Sequence, residues 1–190
     1  MKKYLSLVIL IMVTVVSFGQ TEKGKVAVSG ASDLNFSALN YQFEYDGEDV
    51  GEDFGVTNFN IKPTVSYFVI DNLAIGLAFN YQFEKIDDYK ENSFMFGPTV
   101  RYYIGASKVK PYVQADVLVG NSKADDGDEE SKSNISGWDL GAGVAIFLND
   151  FVSIDLGLGY ASLTETDDDD DKFKLKAGGV AFTGGFSVYF

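Results

Sequence analysis

Residues 73–83, LAIGLAFNYQF, alternate between two kinds of side chain along their whole length. The odd positions are large apolar or aromatic residues, and the even positions are small or polar ones. A period of two is the repeat of a β-strand, whose successive side chains point to opposite faces. The same alternation recurs in residues 94–104, 138–148 and 152–161. The sequence therefore predicts an all-β protein.

Segmentation on this pattern predicts eight strands. They span about residues 25–45, 55–69, 73–85, 93–105, 109–122, 135–148, 151–164 and 173–190. Changes of phase between residues 30 and 35 and at residues 178–179 predict bulges or glycine kinks. Pro63 and Pro98 fall inside predicted strands, where each removes a hydrogen-bond donor from the ladder.

The connections between these strands alternate in length. The short ones are residues 70–72, 106–108 and 149–150, and the long ones are residues 46–53, 86–92, 123–134 and 165–172. The long ones carry most of the chain's 28 acidic residues. In an up-and-down barrel this order gathers the long loops at one rim and the short turns, with both termini, at the other. That asymmetry predicts an antiparallel, eight-stranded up-and-down transmembrane β-barrel with acidic extracellular loops.

A soluble barrel such as a lipocalin would alternate too, but with its large apolar residues inside and its polar residues in water. The small face of this chain carries few of the long charged side chains that a solvated surface would have. It is instead rich in glycine, at Gly76, Gly97, Gly141, Gly143, Gly157 and Gly159. We therefore expect the apolar face to contact lipid and the small face to fill the lumen. Because the interior of eight strands is just wide enough for side chains, no open pore is expected.

Composition excludes several kinds of chemistry. Histidine and cysteine are absent, which excludes disulfides, thiolate or imidazole metal sites, and catalysis by an imidazole base. With 15 basic residues and a net charge of −13, the chain should repel nucleic acids. We predict neither an enzyme nor a cofactor-dependent protein.

The N-terminus has the features of a signal peptide. Lys2 and Lys3 form a basic region, residues 5–16 an apolar stretch, and residues 17–19, SFG, a small-x-small cleavage site. The predicted domain organisation is therefore a signal peptide over residues 1–19 and a barrel domain over residues 20–190.

Two further motifs show a resemblance to a known family. They are the hairpin YFVIDNLAIGL at residues 67–77 and the terminal alternation of Phe182, Gly184, Phe186, Val188 and Phe190. With the signal peptide and the eight strands, they make the mature chain similar to the small outer-membrane β-barrel family, which includes the OmpA membrane domain and OmpX. The resemblance implies export to the bacterial outer membrane, contact with lipid and lipopolysaccharide, and recognition by the barrel-assembly machinery. The implied assembly signal is Phe186, Val188 and Phe190, with Gly184 departing from the pattern.

Ionic residues on the small face are candidates for a polar network in the lumen. Its members are Lys62, Arg101, Lys110, Asp116, Asp139 and Asp155, and Glu44, Glu84, Lys174 and Lys176 are also predicted to point inward. Unpaired charges would be costly there, so we expect structural pairing. The functional alternative is a gated ion path through the same residues.

A run of five carboxylates lies in the last long loop. It comprises Asp167, Asp168, Asp169, Asp170 and Asp171. Oxygen ligands of this kind suit hard cations such as Ca²⁺, but the run lacks the EF-hand spacing. A solvated charge run is one interpretation, and weak divalent cation binding that bridges the loops to anionic glycolipid is the other.

The function that the sequence favours is a structural or surface-interaction role without an open pore. The alternative is porin-like or OmpW-like transport of ions or small hydrophobic solutes across the outer membrane.

Overall fold

In the computed structural model the described residues are 20–32, 37–41, 44–45, 48–49, 54–86, 89–126, 130–167 and 174–190. The predicted signal peptide lies outside them. The strands are β1 (Val26–Ser32), β2 (Ser37–Tyr41), β3 (Glu44–Tyr45), β4 (Glu48–Asp49), β5 (Phe54–Ile70), β6 (Leu73–Ile86), β7 (Tyr89–Tyr103), β8 (Val109–Asp125), β9 (Glu130–Phe147), β10 (Val152–Asp167) and β11 (Lys174–Tyr189). Over these ranges no helix is long and apolar enough to cross a membrane.

The sheet closes on itself. Strands β5 to β11 pair antiparallel in sequence order, and β1 pairs with both β5 and β11. Because β2 also pairs with β5, β1 and β2 together form the first of eight barrel strands. The predicted eight-stranded antiparallel barrel is confirmed. The short strands β3 and β4 form a separate hairpin. The sequence analysis assigned the residues of β3 to the first strand and those of β4 to the loop that follows it.

One predicted bulge is present and the other is not. Ala31 pairs with Lys62 and Ser37 with Asn58, so the first barrel strand gains two residues relative to β5 in the interval where a bulge was predicted. Of the two alternatives predicted at residues 178–179, the bulge is wrong, because β10 and β11 keep one register along their whole contact. The glycine kink stays a prediction. The apparent change of phase comes from Leu175, an apolar residue that pairs with Glu165 near the loop end.

The unbroken register also corrects the predicted orientation of two lysines. Lys174 and Lys176 pair with Thr166 and Thr164, in the same phase as the outward pair of Tyr160 and Val180. Cross-strand partners share a face, so both lysines belong to the outer face. Their inward assignment rested on the bulge that the strand lacks.

Pro63 and Pro98 interrupt one ladder each, as expected for residues without an N–H group. The β5–β6 pairing is broken next to Pro63 and the β7–β8 pairing next to Pro98, and each resumes in the same register. A bulge that the sequence did not predict lies in β5, between Phe68 and Ile70. It adjoins the tight turn at Asn72, whose φ is +66°.

The strands extend beyond their predicted ends on the loop side. Hairpins β6–β7 and β8–β9 stay paired up to Ile86–Tyr89 and Asp125–Glu130. Much of two predicted loops, residues 86–92 and 123–134, is therefore strand, because polar residues can pair across a ladder as well as apolar ones do.

The two faces of the barrel have the predicted chemistry along most of its height. Large exposed side chains cover the outside, among them Ile75, Leu77, Phe96, Leu140, Leu156, Leu158 and Phe186. Exposed aromatic residues lie towards the loop ends at Tyr81, Phe94, Trp138 and Tyr160, and towards the turns at Tyr67 and Tyr102. Such aromatic belts mark the two interfaces of a membrane.

Candidate functional site: a polar plug in the lumen

The turn-side end of the lumen is filled by aromatic side chains. The buried cluster contains Ala27, Phe68, Ala74, Tyr103, Tyr112, Ala145, Phe147 and Tyr189. The rings of Phe147 and Tyr189 lie 5.0 Å apart, and those of Phe68 and Tyr103 lie 5.8 Å apart. The sequence analysis expected small and ionic residues throughout the lumen. At this end large rings fill it instead.

Arg101 of β7 lies directly above this aromatic floor. Its Nη1 forms an ion pair with Asp155 Oδ2 of β10 at 2.8 Å, and its Nε donates to Gln114 Oε1 at 2.6 Å. The guanidinium carbon lies 4.4 Å from the centre of the Tyr112 ring. The exposed fractions of the Arg101 and Asp155 side chains are 14% and 7%. The ion pair therefore crosses the lumen in a largely buried position.

The carboxylate of Asp155 has hydrogen bonds on both oxygens. Ser153 Oγ donates to Oδ1 and Ser187 Oγ donates to Oδ2, each at 2.6 Å. Ser29 and Ser187 bond each other at 2.7 Å, which extends the network to β1. A buried ion pair persists where its remaining hydrogen-bonding groups are satisfied, and this one meets that condition. We call the Arg101–Asp155 ion pair and its partners Gln114, Ser153 and Ser187 the polar plug.

Above the ion pair is a cavity of about 100 Å³. Lys62, Asp116 and Asp139 line it together with Arg101 and Asp155. Asp116 and Asp139 are direct cross-strand partners, and Gln114 Nε2 donates to Asp116 Oδ2 at 2.8 Å. Five of the six predicted network residues thus surround one space.

The sixth residue, Lys110, lies apart from the others at the turn end. Its side chain is buried, and Nζ donates to Thr21 Oγ1 at 2.7 Å and lies 5.2 Å from the centre of the Phe147 ring. Thr21 Oγ1 in turn donates to Asn72 Oδ1 at 2.5 Å, and Asn72 N donates to Thr21 O at 2.7 Å.

The segment of residues 20–24 runs across the turn end of the barrel. Gln20 Nε2 donates to Asp150 Oδ1 at 3.3 Å, beside the β9–β10 turn. Gly24 N donates to Phe68 O at 2.9 Å, beside the β5–β6 turn. These turns lie on different sides of the barrel, so we call this stretch the N-terminal crossing segment. It covers the aromatic floor from below.

Glycines make room for Tyr112 in the wall. A Cβ atom at Gly143 would lie 2.5 Å from Tyr112 Cζ, and one at Gly157 would lie 2.6 Å from Thr183 Oγ1 and 2.9 Å from Tyr112 Oη. The sequence analysis identified both glycines as lumen residues. The ring that they accommodate was missed, although alternation from Lys110 places Tyr112 and Gln114 on the inner face. No sequence signal indicates Thr21, because its contacts exist only after the barrel closes.

Acidic residues point into the lumen mouth at the loop end. Asn58 Nδ2 donates to Glu84 Oε2 at 3.0 Å, and Ser122 Oγ donates to Glu91 Oε1 at 2.9 Å. Tyr89, beyond the aromatic belt, donates to Glu91 Oε2 at 3.0 Å. Partial burial and then the carboxylates of Glu91, Glu84 and Glu165 raise the pKa of Tyr89 to about 12. The predicted inward orientation of Glu84 agrees with this geometry.

Two predicted sites remain predictions. Residues 168–173 and the side chain of Asp167 lie outside the described residues, so the cation-binding loop is not part of this geometry. In the predicted assembly signal, Phe186 is exposed on the outer face, and Val188 and Phe190 are half-buried. Phe190 N donates to Val26 O at 2.8 Å, which places the C-terminus at the seam that closes the barrel.

A sequence model of the outer membrane protein beta-barrel domain matches residues 5–188. The chain belongs to this family. As an outer-membrane β-barrel protein, it is located in the bacterial outer membrane, and lipid and lipopolysaccharide surround it there. The predicted transmembrane class and localisation are confirmed.

Solved structures of outer-membrane proteins share the fold. Neisserial surface protein A (NspA) has a TM-score of 0.56 and 19% identity over 87% of this chain and 96% of its own. The N-terminal β-barrel domain of Pseudomonas aeruginosa OprF has a TM-score of 0.53 and 15% identity over 88% of this chain and 98% of its own. At these identities the likeness concerns the fold alone. No curated protein matches the chain.

Proposed function

We propose that this outer-membrane β-barrel is a structural or surface-interaction scaffold whose lumen does not conduct. The observation that carries the proposal is the Arg101–Asp155 ion pair, which joins opposite sides of the lumen above the aromatic floor. A conducting path would have to cross the ion pair, the rings and the N-terminal crossing segment in turn. Each is held by hydrogen bonds or close packing.

The cavity above the ion pair supports the same proposal. Its volume is about 100 Å³, and Lys62, Asp116 and Asp139 line it together with Arg101 and Asp155. Waters among these charged side chains would meet the ion pair before they reached the aromatic floor.

The proposal extends to the parts of the chain outside this geometry. Residues 1–19 are removed as a signal peptide, and residues 20–190 form the barrel domain. The acidic loops face the cell exterior, where they meet a partner or weakly bind divalent cations. The barrel-assembly machinery recognises Phe186, Val188 and Phe190 during insertion. No catalytic step is part of this function.

Single-channel recording in planar lipid bilayers tests the scaffold role. The refolded mature chain should give no conductance steps, and a mock refolding without protein provides the baseline. Resolved steps whose size changes in Arg101→Ala would establish an ion path through the plug and contradict the proposal.

A shallow groove on the outer wall favours a second candidate, the passage of small hydrophobic solutes. Val113, Leu140, Leu158, Tyr160 and Val180 line it, and Gly141 and Gly159, which also line the lumen cavity, form its base. The wall between cavity and lipid is thus thin at these glycines. Faster uptake of a hydrophobic dye into liposomes that contain the protein, compared with protein-free liposomes, would support this candidate.

A further inference from the structure

Two oxygen atoms in the lumen are buried without a hydrogen-bond donor. Among the side chains of the described residues, the buried polar atoms that lack a partner are Asn60 Oδ1 and Asp116 Oδ1. Both are acceptors, and Asn60 is only 7% exposed. An unpaired buried oxygen costs free energy, so a folded protein supplies it with a donor or a cation. The group that satisfies these oxygens therefore carries a hydrogen-bond donor or a positive charge.

Both residues belong to the cavity above the polar plug or to its approach from the loop side. Asp116 lines the cavity directly. Asn60 is the next inward residue to Lys62 on β5, one step nearer the loops, and Lys62 lines the cavity too. Asn60 Nδ2 donates to Asn80 Oδ1 at 3.3 Å, so the amide is held from one end and its oxygen is the unpaired end.

The charges that line the cavity do not balance. Among the described residues, two cations, Lys62 and Arg101, face three carboxylates, those of Asp116, Asp139 and Asp155. The ion pair joins Arg101 to Asp155, which leaves Lys62 opposite two carboxylates. An uncompensated charge is costly away from bulk water. The cavity therefore has a deficit of one positive charge, which a water molecule cannot supply.

The two remaining carboxylates are close together. Asp116 and Asp139 are direct partners across β8 and β9, and the Cβ atoms of such partners lie about 5 Å apart. Like charges in this position repel each other, and a cation between them removes the repulsion. Gln114 Nε2 donates to Asp116 Oδ2 at 2.8 Å, so Oδ1 is the oxygen that remains for a cation.

The size of the deficit indicates a singly charged ion. One positive charge neutralises the cavity, whereas a divalent ion would leave it with a net positive charge. Calcium sites use about six to eight oxygen ligands, several of them carboxylates. Over the described part of the chain, no group of three or more carboxylates could hold a metal ion. Glu84 and Glu91 point into the lumen mouth, and an acidic mouth concentrates small cations.

We propose that the cavity above the polar plug binds one alkali metal cation between Asp116 and Asp139. Asp116 Oδ1 and a carboxylate oxygen of Asp139 are the protein ligands, and the ion reaches them from the loop side, past Asn60. The ion lies above the Arg101–Asp155 ion pair. The site is therefore independent of whether the lumen conducts, and binding and conductance are measured separately.

Nuclear magnetic resonance of the refolded mature chain in detergent micelles tests the proposal. Sodium chloride is titrated against choline chloride at constant ionic strength and pH, because choline has the same charge but shields it with methyl groups. The probes are the side-chain amides of Asn60 and Gln114 and the backbone amide of Asp116. The test variant is D116N, which removes the charge and keeps the shape. The control, E22Q, removes a carboxylate from an exposed position at the turn rim.

In the wild type and in E22Q the three signals should shift with sodium along a saturable curve and should not shift with choline. D116N should bind sodium at least about tenfold more weakly, because a full charge about 4 Å from an ion changes its binding constant by more than this factor in a partly buried site. The wild-type titration decides whether an ion binds even if D116N does not fold.

Four results would overturn the proposal. Wild-type signals that do not respond to sodium would mean that water alone fills the cavity. Sodium shifts of unchanged affinity in D116N would place the ion elsewhere. Tighter binding of calcium than of sodium would assign the cavity to divalent ions. Shifts that follow pH and not sodium would assign it to a proton shared by the two carboxylates.

Discussion

At the residue scale, the decisive contact is between Arg101 and Asp155. The alternation of side chains along β7 and β10 was enough to place both residues in the lumen. The contact between them could not be predicted, because they are 54 positions apart in the sequence and meet only across a closed barrel. The same holds for Tyr112 and the glycines that accommodate it.

Removal of one partner of the ion pair should destabilise the barrel strongly. Asp155→Ala leaves a buried guanidinium without its carboxylate, a loss that costs about 3–5 kcal/mol in buried pairs. Urea unfolding in lipid vesicles, followed by the fluorescence of Trp138, the only tryptophan, measures the free energy of unfolding. The exposed Glu22→Ala should be nearly neutral, and Arg101→Met/Asp155→Leu should cost less than Asp155→Ala. Equal effects of Asp155→Ala and Glu22→Ala would show that the plug contributes nothing to stability.

Overpacking at the glycines that face Tyr112 should also lower stability. Gly157→Ala brings a Cβ within 2.6 Å of Thr183 Oγ1, and overpacking of this kind costs about 1–3 kcal/mol. Thr183→Ala in the same chain should recover part of the loss. Gly179→Ala is the control, because no atom lies within 4 Å of its added Cβ. The same urea assay applies, and a neutral Gly157→Ala would mean that the wall can relax around Tyr112.

At the element scale, the N-terminal crossing segment acts as a floor for the barrel. It has no regular secondary structure, yet Thr21 is only 3% exposed and links the buried Lys110 to the β5–β6 turn. Strand pairing alone does not explain why the segment holds this position. The segment is held by side chains that closure brings to one rim.

Loss of the Thr21 hydroxyl should therefore weaken the turn end. Thr21→Val keeps the shape of the side chain but leaves the buried Lys110 ammonium without this acceptor, at a cost of about 1–3 kcal/mol. Hydrogen exchange at the Asn72 amide, which donates to Thr21 O, should become faster. Thr21→Ser retains the hydroxyl and should behave as the wild type. If Thr21→Val and Thr21→Ser had the same free energy of unfolding and the same hydrogen-exchange rate at Asn72, the crossing segment would not contribute to stability.

At the scale of the whole molecule, alternation and closure together separate the side chains by chemistry. Apolar residues face lipid, and the Arg101–Asp155 ion pair lies in the lumen. The planar-bilayer test addresses the proposal that this lumen does not conduct.

The sequence by itself determined the fold class, the strand order and the face of each residue in most strands, because a period of two requires only neighbouring residues. It failed where a local pattern had two explanations. The apolar residue Leu175 produced a change of phase that we interpreted as a bulge at residues 178–179. The inward orientation predicted for Lys174 and Lys176 was therefore wrong. The tertiary structure alone decided which inward residues meet: Arg101 with Asp155, Tyr112 with Gly143 and Gly157, Lys110 with Thr21. The physical reason is that such contacts depend on register and shear around the closed barrel, and neither quantity is encoded in any single strand.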